Sequence, residues 1–238
     1  MTDPLPLLQA LIRCPSVTPE EGGALGVLEA ALVPLGFTCT RLKFAEVDNL
    51  FARRGKYGPH FCYAGHTDVV PVGDRAGWQH DPFGAEIANG MIYGRGACDM
   101  KGGLATSIIA AEAFIETHKD FAGSIEISGT ADEESGGYGG VAYLAEQGYF
   151  NPERVQHVII PEPLNKDRIC LGHRGGWWAE IETKGEIAHG SMPFLGDCAV
   201  RHMGAVLSEF ESKLFPAMAS RTTDMPVVPE GARSSTMN

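Results

Sequence analysis

The sequence predicts an α/β fold, in which helices cover both faces of a β-sheet. The first observation is that short β-like runs alternate with helical patterns as far as residue 163, as expected for such a layered fold. The second is the apolar run "HVIIPEP" at residues 157–163, which is typical of a buried strand. The third is an ordinary globular composition, 44% hydrophobic and 21% charged over 238 residues, which suits one large domain or two modest ones.

The elements follow from local signals in chain order. Helices are predicted over residues 3–14, 16–36, 103–118 and 139–150, and strands over 37–44, 49–55, 60–66, 123–130 and 157–163. Asp3 and Pro4 start the first helix, and Gly36 ends the second. The stretch 83–96 predicts a hairpin that turns at Asn89-Gly90.

The pattern changes after about residue 174. Residues 177–191 alternate in a way that predicts antiparallel strands, 198–215 form an amphipathic helical pattern, and 221–238 predict a loop leading into another strand. We therefore predict a domain boundary between residues 175 and 176.

Charge and cysteine usage narrow the class of protein. A formal net charge of -11 argues against a nucleic-acid or anionic-membrane partner. The six cysteines are dispersed without a CxxC motif, which indicates free thiols in a reducing compartment. The start "MTDPLPLLQ" has no basic region, and no apolar run is long enough to span a bilayer. We expect a soluble cytoplasmic protein.

Polar side chains follow four of the predicted strands and turns. Sites in open α/β sheets form at the carboxyl ends of strands. The candidates are His66 and Asp68 in "AGHTDVVP", Asp99 in "GRGACDMKGG", Asp132, Glu133 and Glu134 in "GTADEES", and Glu162 in "IIPEP". One histidine with several carboxylates is a plausible ligand set for zinc or a similar divalent ion.

Each candidate also has an ordinary structural interpretation. His66 could be a hydrogen-bonded core histidine, Asp99 a helix N-cap, and Glu162 the partner of an arginine. The acidic triplet could be a solvated loop, and Asp132 has no role that spacing predicts.

Spacing nevertheless favours separate tasks. Two residues apart on an extended segment, Asp68 can accept the second imidazole N–H of His66 and fix the ring. Adjacent glutamates point in different directions, so one can bind a metal ion while the other serves the attacking water.

Taken in order, the motifs resemble a known family. "AGHTDVVP", "GRGACDMKGG", the D-E-E triplet, "PEP", "GHRGG" and "AHGSMPFLG" resemble the dizinc aminoacylase and carboxypeptidase family, which includes succinyl-diaminopimelate desuccinylases and acetylornithine deacetylases. The resemblance covers essentially the whole chain, and the first 115 or so residues look closest to the desuccinylases. It implies a zinc-peptidase-like mixed sheet in a catalytic domain, residues 1–175, and a partial α+β inserted dimerisation (lid) domain, residues 176–238.

The resemblance also implies a role for each site residue. His66, Asp99 and Glu162 would hold one zinc ion, Glu134 and the bridging Asp99 a second, and Co²⁺ can substitute for Zn²⁺ in both. Glu133 would be the general base, and Asp68 would orient His66. His189, in the second domain, would polarise the scissile carbonyl across a dimer, and Arg174 would bind the substrate carboxylate.

The implied reaction is metal-dependent hydrolysis of the amide bond of an N-acyl amino acid. N-succinyl-diaminopimelate, a lysine precursor, is the first expected substrate and N-acetylornithine the second. The expected partners are this small molecule and, in a full-length form, a second copy of the chain.

The chain departs from the family pattern in three places. The family takes a further zinc-binding histidine from a C-terminal segment, and the other histidines here lie in no matching motif: His60, His80, His118, His157, His173 and His202. "SGG" follows the acidic triplet, and Cys198 stands where the lid motif commonly has asparagine. We therefore expect a C-terminally truncated chain with an incomplete second zinc site. The alternative is a catalytically impaired fragment that binds metal or a partner subunit.

Overall fold

The chain divides into two compact units, residues 1–165 and 166–238. The computed structural model describes residues 3–164, 167, 169–170, 175–176, 179–224, 228 and 233–234. Within these ranges, no helix combines the length and the apolar character that crossing a membrane requires. The assignment of residues 1–175 to a catalytic domain and of residues 176–238 to a lid domain stays a prediction.

A mixed five-stranded sheet forms the centre of the first unit. In chain order the unit's strands are β1 (Thr38–Phe44), β2 (Val47–Gly55), β3 (His60–His66), β4 (Glu86–Ala88), β5 (Met91–Tyr93), β6 (Ser124–Thr130) and β7 (Val155–Ile159). The sheet order is β1-β2-β6-β3-β7, with β4 and β5 in a separate hairpin. β2 runs antiparallel to β1 and β6, whereas β3 runs parallel to β6 and β7.

Helices cover the sheet and build the main core. They are α1 (Leu5–Ile12), α2 (Ala24–Leu32), α3 (Lys101–Thr117) and the short α4 (Tyr143–Glu146). On α3, Leu104, Ile108, Ala111 and Ile115 recur at three- and four-residue spacing, and all four are buried in the core. On the opposite face of the sheet, Phe51 contacts Tyr149, which lies just after α4. The predicted α/β architecture is confirmed.

The hairpin between β4 and β5 forms where the sequence predicts it. Asn89 and Gly90 both have positive φ angles, 53° and 76°, at the tip. Two such residues produce the type I′ turn, whose twist matches that of paired strands.

Two predicted helices are shorter in the structure. The helix predicted over 16–36 begins only at Ala24, because Gly22 and Gly23 have positive φ and the residues before them form turns around an isolated bridge at Val17. Of the helix predicted over 139–150, only the short α4 forms as α-helix. A π-helical turn at Tyr138–Ala142 precedes it, because Gly140 has non-helical angles (φ -99°, ψ -108°).

The prediction of a fully buried strand over residues 157–163 is wrong. β7 ends at Ile159, and the side chains of Val158 and Ile159 are exposed. The reason is position, because β7 lies at the end of the strand order and pairs with β3 alone among the described strands.

The second unit is mainly helical where it is described. The predicted helical pattern is confirmed by α5 (Ala199–Glu209), a π-helical turn (Phe210–Leu214) and α6 (Phe215–Ala219). The antiparallel strands predicted over 177–191 do not form within the described residues 179–191, where Glu186 makes a single bridge to Asp197. Alternation of polar and apolar residues does not make a strand without a neighbouring strand to pair with. Near the end, Thr222 and Ser234 form another isolated bridge.

Candidate metal centre

Parallel pairing brings the candidate residues to one edge of the sheet. His66, the last residue of β3, is in register with Thr130, the last residue of β6. The segments that follow, 67–68 and 132–134, therefore leave the sheet side by side. Glu162 lies three residues beyond the parallel strand β7, and Asp99 lies two residues before α3.

His66 is nearly fully buried, yet only one of its ring nitrogens is hydrogen-bonded. The side chain is 1% exposed, and Nδ1 donates to the backbone carbonyl of Asp68 at 2.9 Å. Nε2 is buried without a hydrogen-bond partner among the described residues. An unpaired buried nitrogen is costly, so His66 is not the hydrogen-bonded core histidine of the ordinary interpretation.

Three carboxylates surround this nitrogen. His66 Nε2 lies 3.3 Å from Asp99 Oδ1, 3.5 Å from Glu162 Oε1 and 3.7 Å from Glu133 Oε2. None of these contacts is a well-placed hydrogen bond. An imidazole nitrogen among three carboxylates needs a proton or a cation between them.

The distances fit a small divalent ion. Ligand bonds of about 2.0 Å in tetrahedral geometry separate neighbouring ligand atoms by about 3.3 Å, close to the two shorter contacts of His66 Nε2. Two groups of side chains place their ligand atoms within 4.8 Å of one another: His66, Asp99 and Glu162 in one, and His66, Glu133 and Glu134 in the other. The first group is the predicted first ligand set. The second joins Glu134 to His66 and Glu133, whereas the prediction paired it with Asp99.

Ionisation in the cluster reflects crowded negative charge. Burial alone would lower the pKa of His66, but Asp68, Glu162 and Glu133 raise it to about 9. Burial raises the pKa of Glu162 to about 7, with the Asp99 and Glu133 carboxylates adding to the shift. Burial and the Asp99 carboxylate likewise raise the pKa of Glu134. A bound cation would offset this repulsion.

Asp68 joins three segments of chain. Its fully buried carboxylate accepts hydrogen bonds from the Thr18 hydroxyl at 2.6 Å and from the backbone N–H groups of Glu133 and Glu134 at 3.3 and 3.2 Å. Burial would raise the pKa of Asp68, but the adjacent His66 ring and the hydrogen bond from Thr18 lower it. The predicted contact between the Asp68 carboxylate and the imidazole is 3.4 Å, longer than the backbone bond from the same ring.

Asp132, for which the sequence predicts no role, closes the loop that carries the two glutamates. Its carboxylate accepts a hydrogen bond from the Gly139 N–H at 2.6 Å and another from the Ser135 hydroxyl. Its backbone carbonyl accepts the Gly137 N–H at 2.7 Å. An aspartate followed by serine and glycines is a known signal for such side-chain-to-backbone turns, so this role was readable from "DEESGG".

Asp99 and Glu162 are less enclosed, with side chains 53% and 34% exposed. Asp99 does not cap α3, because the N-cap position belongs to Met100 and no side-chain bond caps it. The Glu162 carboxylate lies 3.5 Å from His66 Nε2, and no arginine within the described ranges forms an ion pair with it. The ordinary interpretations of both acids therefore fail in the part of the chain that the structure describes.

Gly103 explains how Glu162 reaches this place. A Cβ atom at Gly103 would lie 2.1 Å from the carbonyl oxygen of Pro161, so only glycine lets α3 approach this segment so closely. Sequence reasoning missed both Gly103 and Thr18. A glycine pair at a helix start, where it costs helix stability, is the signal that pointed to Gly103.

The remaining two predicted residues belong to the second unit. His189 is exposed, and its Nδ1 accepts the Ser191 N–H at 3.2 Å. The Ser191 hydroxyl lies closer to the same nitrogen, at 2.7 Å. Arg174 lies outside the described residues. Cys198 is exposed at the N-cap position of α5 and makes no side-chain cap.

A family model supports the class of protein that this fold and site define. Residues 62–235 match the model of peptidase family M20/M25/M40. The chain belongs to this family. The resemblance predicted from the motifs is confirmed at this level.

Similar proteins of known sequence carry a common name. The chain is 45% identical over 222 residues to a succinyl-diaminopimelate desuccinylase of Parvibaculum lavamentivorans, covering 88% of this chain and 55% of that protein. It is 47% identical over 204 residues to one of Rhodospirillum centenum, covering 82% and 53%. The chain thus spans about half the length of these relatives.

A solved structure supports the fold. An M20 family metallo-carboxypeptidase from Sulfolobus solfataricus superposes with a TM-score of 0.60 at 23% identity, over 68% of this chain and 37% of that one. At this identity the likeness extends to the architecture alone.

Proposed function

We propose that this chain carries the metal-binding machinery of an amide hydrolase that removes the succinyl group from N-succinyl-diaminopimelate. The observation that carries the proposal is His66 Nε2, buried, unpaired among the described residues and within 3.7 Å of three carboxylates. The names of the relatives at 45% and 47% identity support the choice of acyl group.

The proposed metal ions are Zn²⁺, with Co²⁺ able to replace it. His66, Asp99 and Glu162 would hold one ion, and Glu134 with Asp99 a second. A bound divalent ion supplies Lewis acidity, which lowers the pKa of water and polarises an amide carbonyl.

Glu133 is the proposed general base. Its side chain is 48% exposed, so a water molecule can reach it, and its Oε2 lies on the His66 side of the cluster. It would accept a proton from the attacking water and return it to the nitrogen of the leaving amine. The backbone bond from Glu133 to Asp68 would hold this side chain at the edge of the metal group.

The rest of the proposal concerns substrate and assembly. Arg174 would bind a substrate carboxylate in a bidentate manner. His189 would donate a ring N–H to the scissile carbonyl. In the complete enzyme we place this histidine across a homodimer, in the cytoplasm, within lysine biosynthesis. Deacylation of N-acetylornithine or another N-acyl amino acid is the alternative reaction.

A second candidate function is metal binding without turnover. Both potential metal groups in the described part of the chain use the same histidine. One imidazole nitrogen binds one ion, so a second ion here would have carboxylate ligands only. Such a site would be weak, and a protein with one ion would lack part of the machinery.

Turnover and metal content separate these functions. Chelator-treated chain is titrated with Zn²⁺ or Co²⁺, and succinate release from N-succinyl-diaminopimelate is measured beside acetate release from N-acetylornithine. We expect succinate release that requires metal and exceeds acetate release. Binding of one ion with no hydrolysis of either substrate would contradict the proposal and support metal binding alone.

A further inference from the structure

We propose that Thr18 is a positioning residue for the metal centre, because its hydroxyl fixes the orientation of the Asp68 carboxylate. The inference rests on the proposed function in so far as it concerns metal binding. The geometry does not depend on an ion: Thr18 bonds the Asp68 carboxylate, and that carboxylate bonds the backbone N–H groups of residues 133 and 134.

The Thr18 bond is the shortest that Asp68 accepts. Thr18 Oγ1 lies 2.6 Å from Oδ2, whereas the N–H groups of Glu133 and Glu134 lie 3.3 and 3.2 Å from the carboxylate and His66 Nδ1 lies 3.4 Å away. Hydrogen bonds from a hydroxyl to a carboxylate are about 2.5–2.7 Å long and stronger than neutral ones. The hydroxyl therefore determines which way the carboxylate faces.

Thr18 itself is held by a short ladder outside the main sheet. Its N–H donates to the carbonyl of Val69 at 3.2 Å, and the Val69 N–H donates to the carbonyl of Ser16 at 2.9 Å. The Ser16 hydroxyl adds a bond to the carbonyl of Thr67 at 2.6 Å. The segment 16–18 thus runs beside 67–69, and the Thr18 hydroxyl reaches Asp68 from a fixed backbone.

The hydroxyl has one proton and two acceptors within reach. The carbonyl of Val69 lies 3.3 Å from Thr18 Oγ1, much farther than the carboxylate. The proton therefore goes to the nearer acceptor, the buried carboxylate of Asp68.

Loss of the hydroxyl would free one side of Asp68. Among the described residues, Oδ2 would keep only the long bond from the Glu134 N–H, and a buried carboxylate oxygen with one weak donor turns toward other donors. That rotation would loosen the backbone of Glu133 and Glu134 and the contact to the His66 ring. Residues that orient metal ligands in this way typically affect metal affinity or activity by about 10–100-fold.

Cobalt binding tests this role. Chelator-treated wild type, Thr18→Val and Thr18→Ser are titrated with Co²⁺, with affinity taken from competition with a chelator and geometry from the visible absorption bands. We expect Thr18→Val, which keeps the shape and removes the hydroxyl, to bind Co²⁺ about 10–100-fold more weakly with altered bands. Thr18→Ser restores the hydroxyl and should stay within about threefold of wild type.

A matched control comes from the second unit. The Thr183 hydroxyl donates to the carbonyl of Ala199 at 2.9 Å, so Thr183→Val removes a comparable bond far along the chain from the ladder. It should leave Co²⁺ affinity unchanged. Equal affinity of Thr18→Val and wild type would overturn the inference, as would a Thr18→Ser variant as weak as Thr18→Val, because a hydroxyl at this position would then not be sufficient to maintain the site.

A metal-free measurement keeps the two proposals separate. In the metal-free chain, Thr18→Val should speed hydrogen exchange of the Glu133 and Glu134 amide protons and leave that of Ile127, in the middle of β6, unchanged. If wild type binds no Co²⁺, the proposed function fails, and this exchange experiment alone decides on Thr18. If circular dichroism shows that Thr18→Val does not fold, Thr18→Ala replaces it, and unchanged exchange in that variant would overturn the inference.

Discussion

The candidate metal centre has two halves that are built differently. In the buried half, His66 and Asp68 are almost inaccessible, and hydrogen bonds from three segments fix them. In the exposed half, Asp99, Glu133 and Glu162 have side chains that are 53%, 48% and 34% exposed.

The difference indicates how the site is assembled. Hydrogen bonds within the protein hold the buried half in place, so His66 would offer a preorganised nitrogen ligand. The exposed carboxylates repel one another, and a bound cation would offset that repulsion. Substitutions in the buried half should therefore cost folding stability as well as metal, whereas those in the exposed half should cost metal or turnover alone.

The largest expected effect concerns Glu133, in the exposed half. Glu133→Gln removes the proposed base but no proposed ligand, so turnover should fall by about 10²–10⁴-fold while metal content stays the same. The neighbouring Glu134→Gln should instead lower metal affinity. Both are measured as succinate release and as metal bound per chain. Equal loss of metal from the two variants would show that these adjacent glutamates do not divide the work.

The next effect tests the buried half. Asp68→Ala leaves the Thr18 hydroxyl and the N–H groups of Glu133 and Glu134 without their acceptor. At about 1 kcal/mol for each lost bond, the free energy of unfolding of the metal-free protein should fall by about 3 kcal/mol. Urea denaturation in the presence of a chelator measures it.

The matched control for this substitution is Asp74→Ala. Asp74 is exposed, and its carboxylate accepts a single bond from the Ala76 N–H at 2.9 Å. It should cost about 1 kcal/mol or less. If Asp68→Ala were as mild as Asp74→Ala, the contrast between the two halves would be wrong.

Asp99→Asn tests the exposed half, where metal affinity should fall while the free energy of unfolding stays nearly the same. The side chain caps no helix and is half exposed, so the free energy of unfolding should change by less than about 0.5 kcal/mol. Metal affinity should fall on the order of 100-fold, since a charged ligand is lost. Isothermal titration with Zn²⁺ and urea denaturation report the two quantities, and a large loss of stability would place Asp99 with the buried half.

The sequence predicts the members of the cluster better than the bonds between them. Polar residues after strands were sufficient to select His66 and Glu162, because parallel strands necessarily end at one edge. Asp99 was selected from a glycine-rich turn before α3. The direction of each hydrogen bond depends on tertiary packing. Spacing suggested that the Asp68 carboxylate accepts the imidazole N–H, whereas the closer acceptor is the backbone carbonyl of the same residue.

The contribution of Thr18 could not be predicted from local pattern. It lies 50 residues before Asp68, in a stretch predicted as helix, and reaches the site only because residues 16–18 pair with 67–69. The periodicity of a sequence shows which residues share a face of one helix or strand, but not which residues distant in sequence meet in the fold. The exposure of β7 was missed for the same reason, since an apolar run does not reveal whether a strand is central or at an edge.

The smallest expected effect concerns Asp132 and tests where the buried half of the site ends. Ser135→Ala removes one of the donors to the Asp132 carboxylate, while the Gly139 N–H still holds its other oxygen at 2.6 Å. The free energy of unfolding should fall by about 1 kcal/mol, and turnover by less than tenfold. Ser208→Ala, which removes a bond to the carbonyl of Gly204 within α5, is the control and should change neither. A tenfold or greater loss of turnover in Ser135→Ala would mean that the loop carrying the exposed Glu133 must be held as rigidly as the buried half. Exposure alone would then not distinguish the two halves of the site.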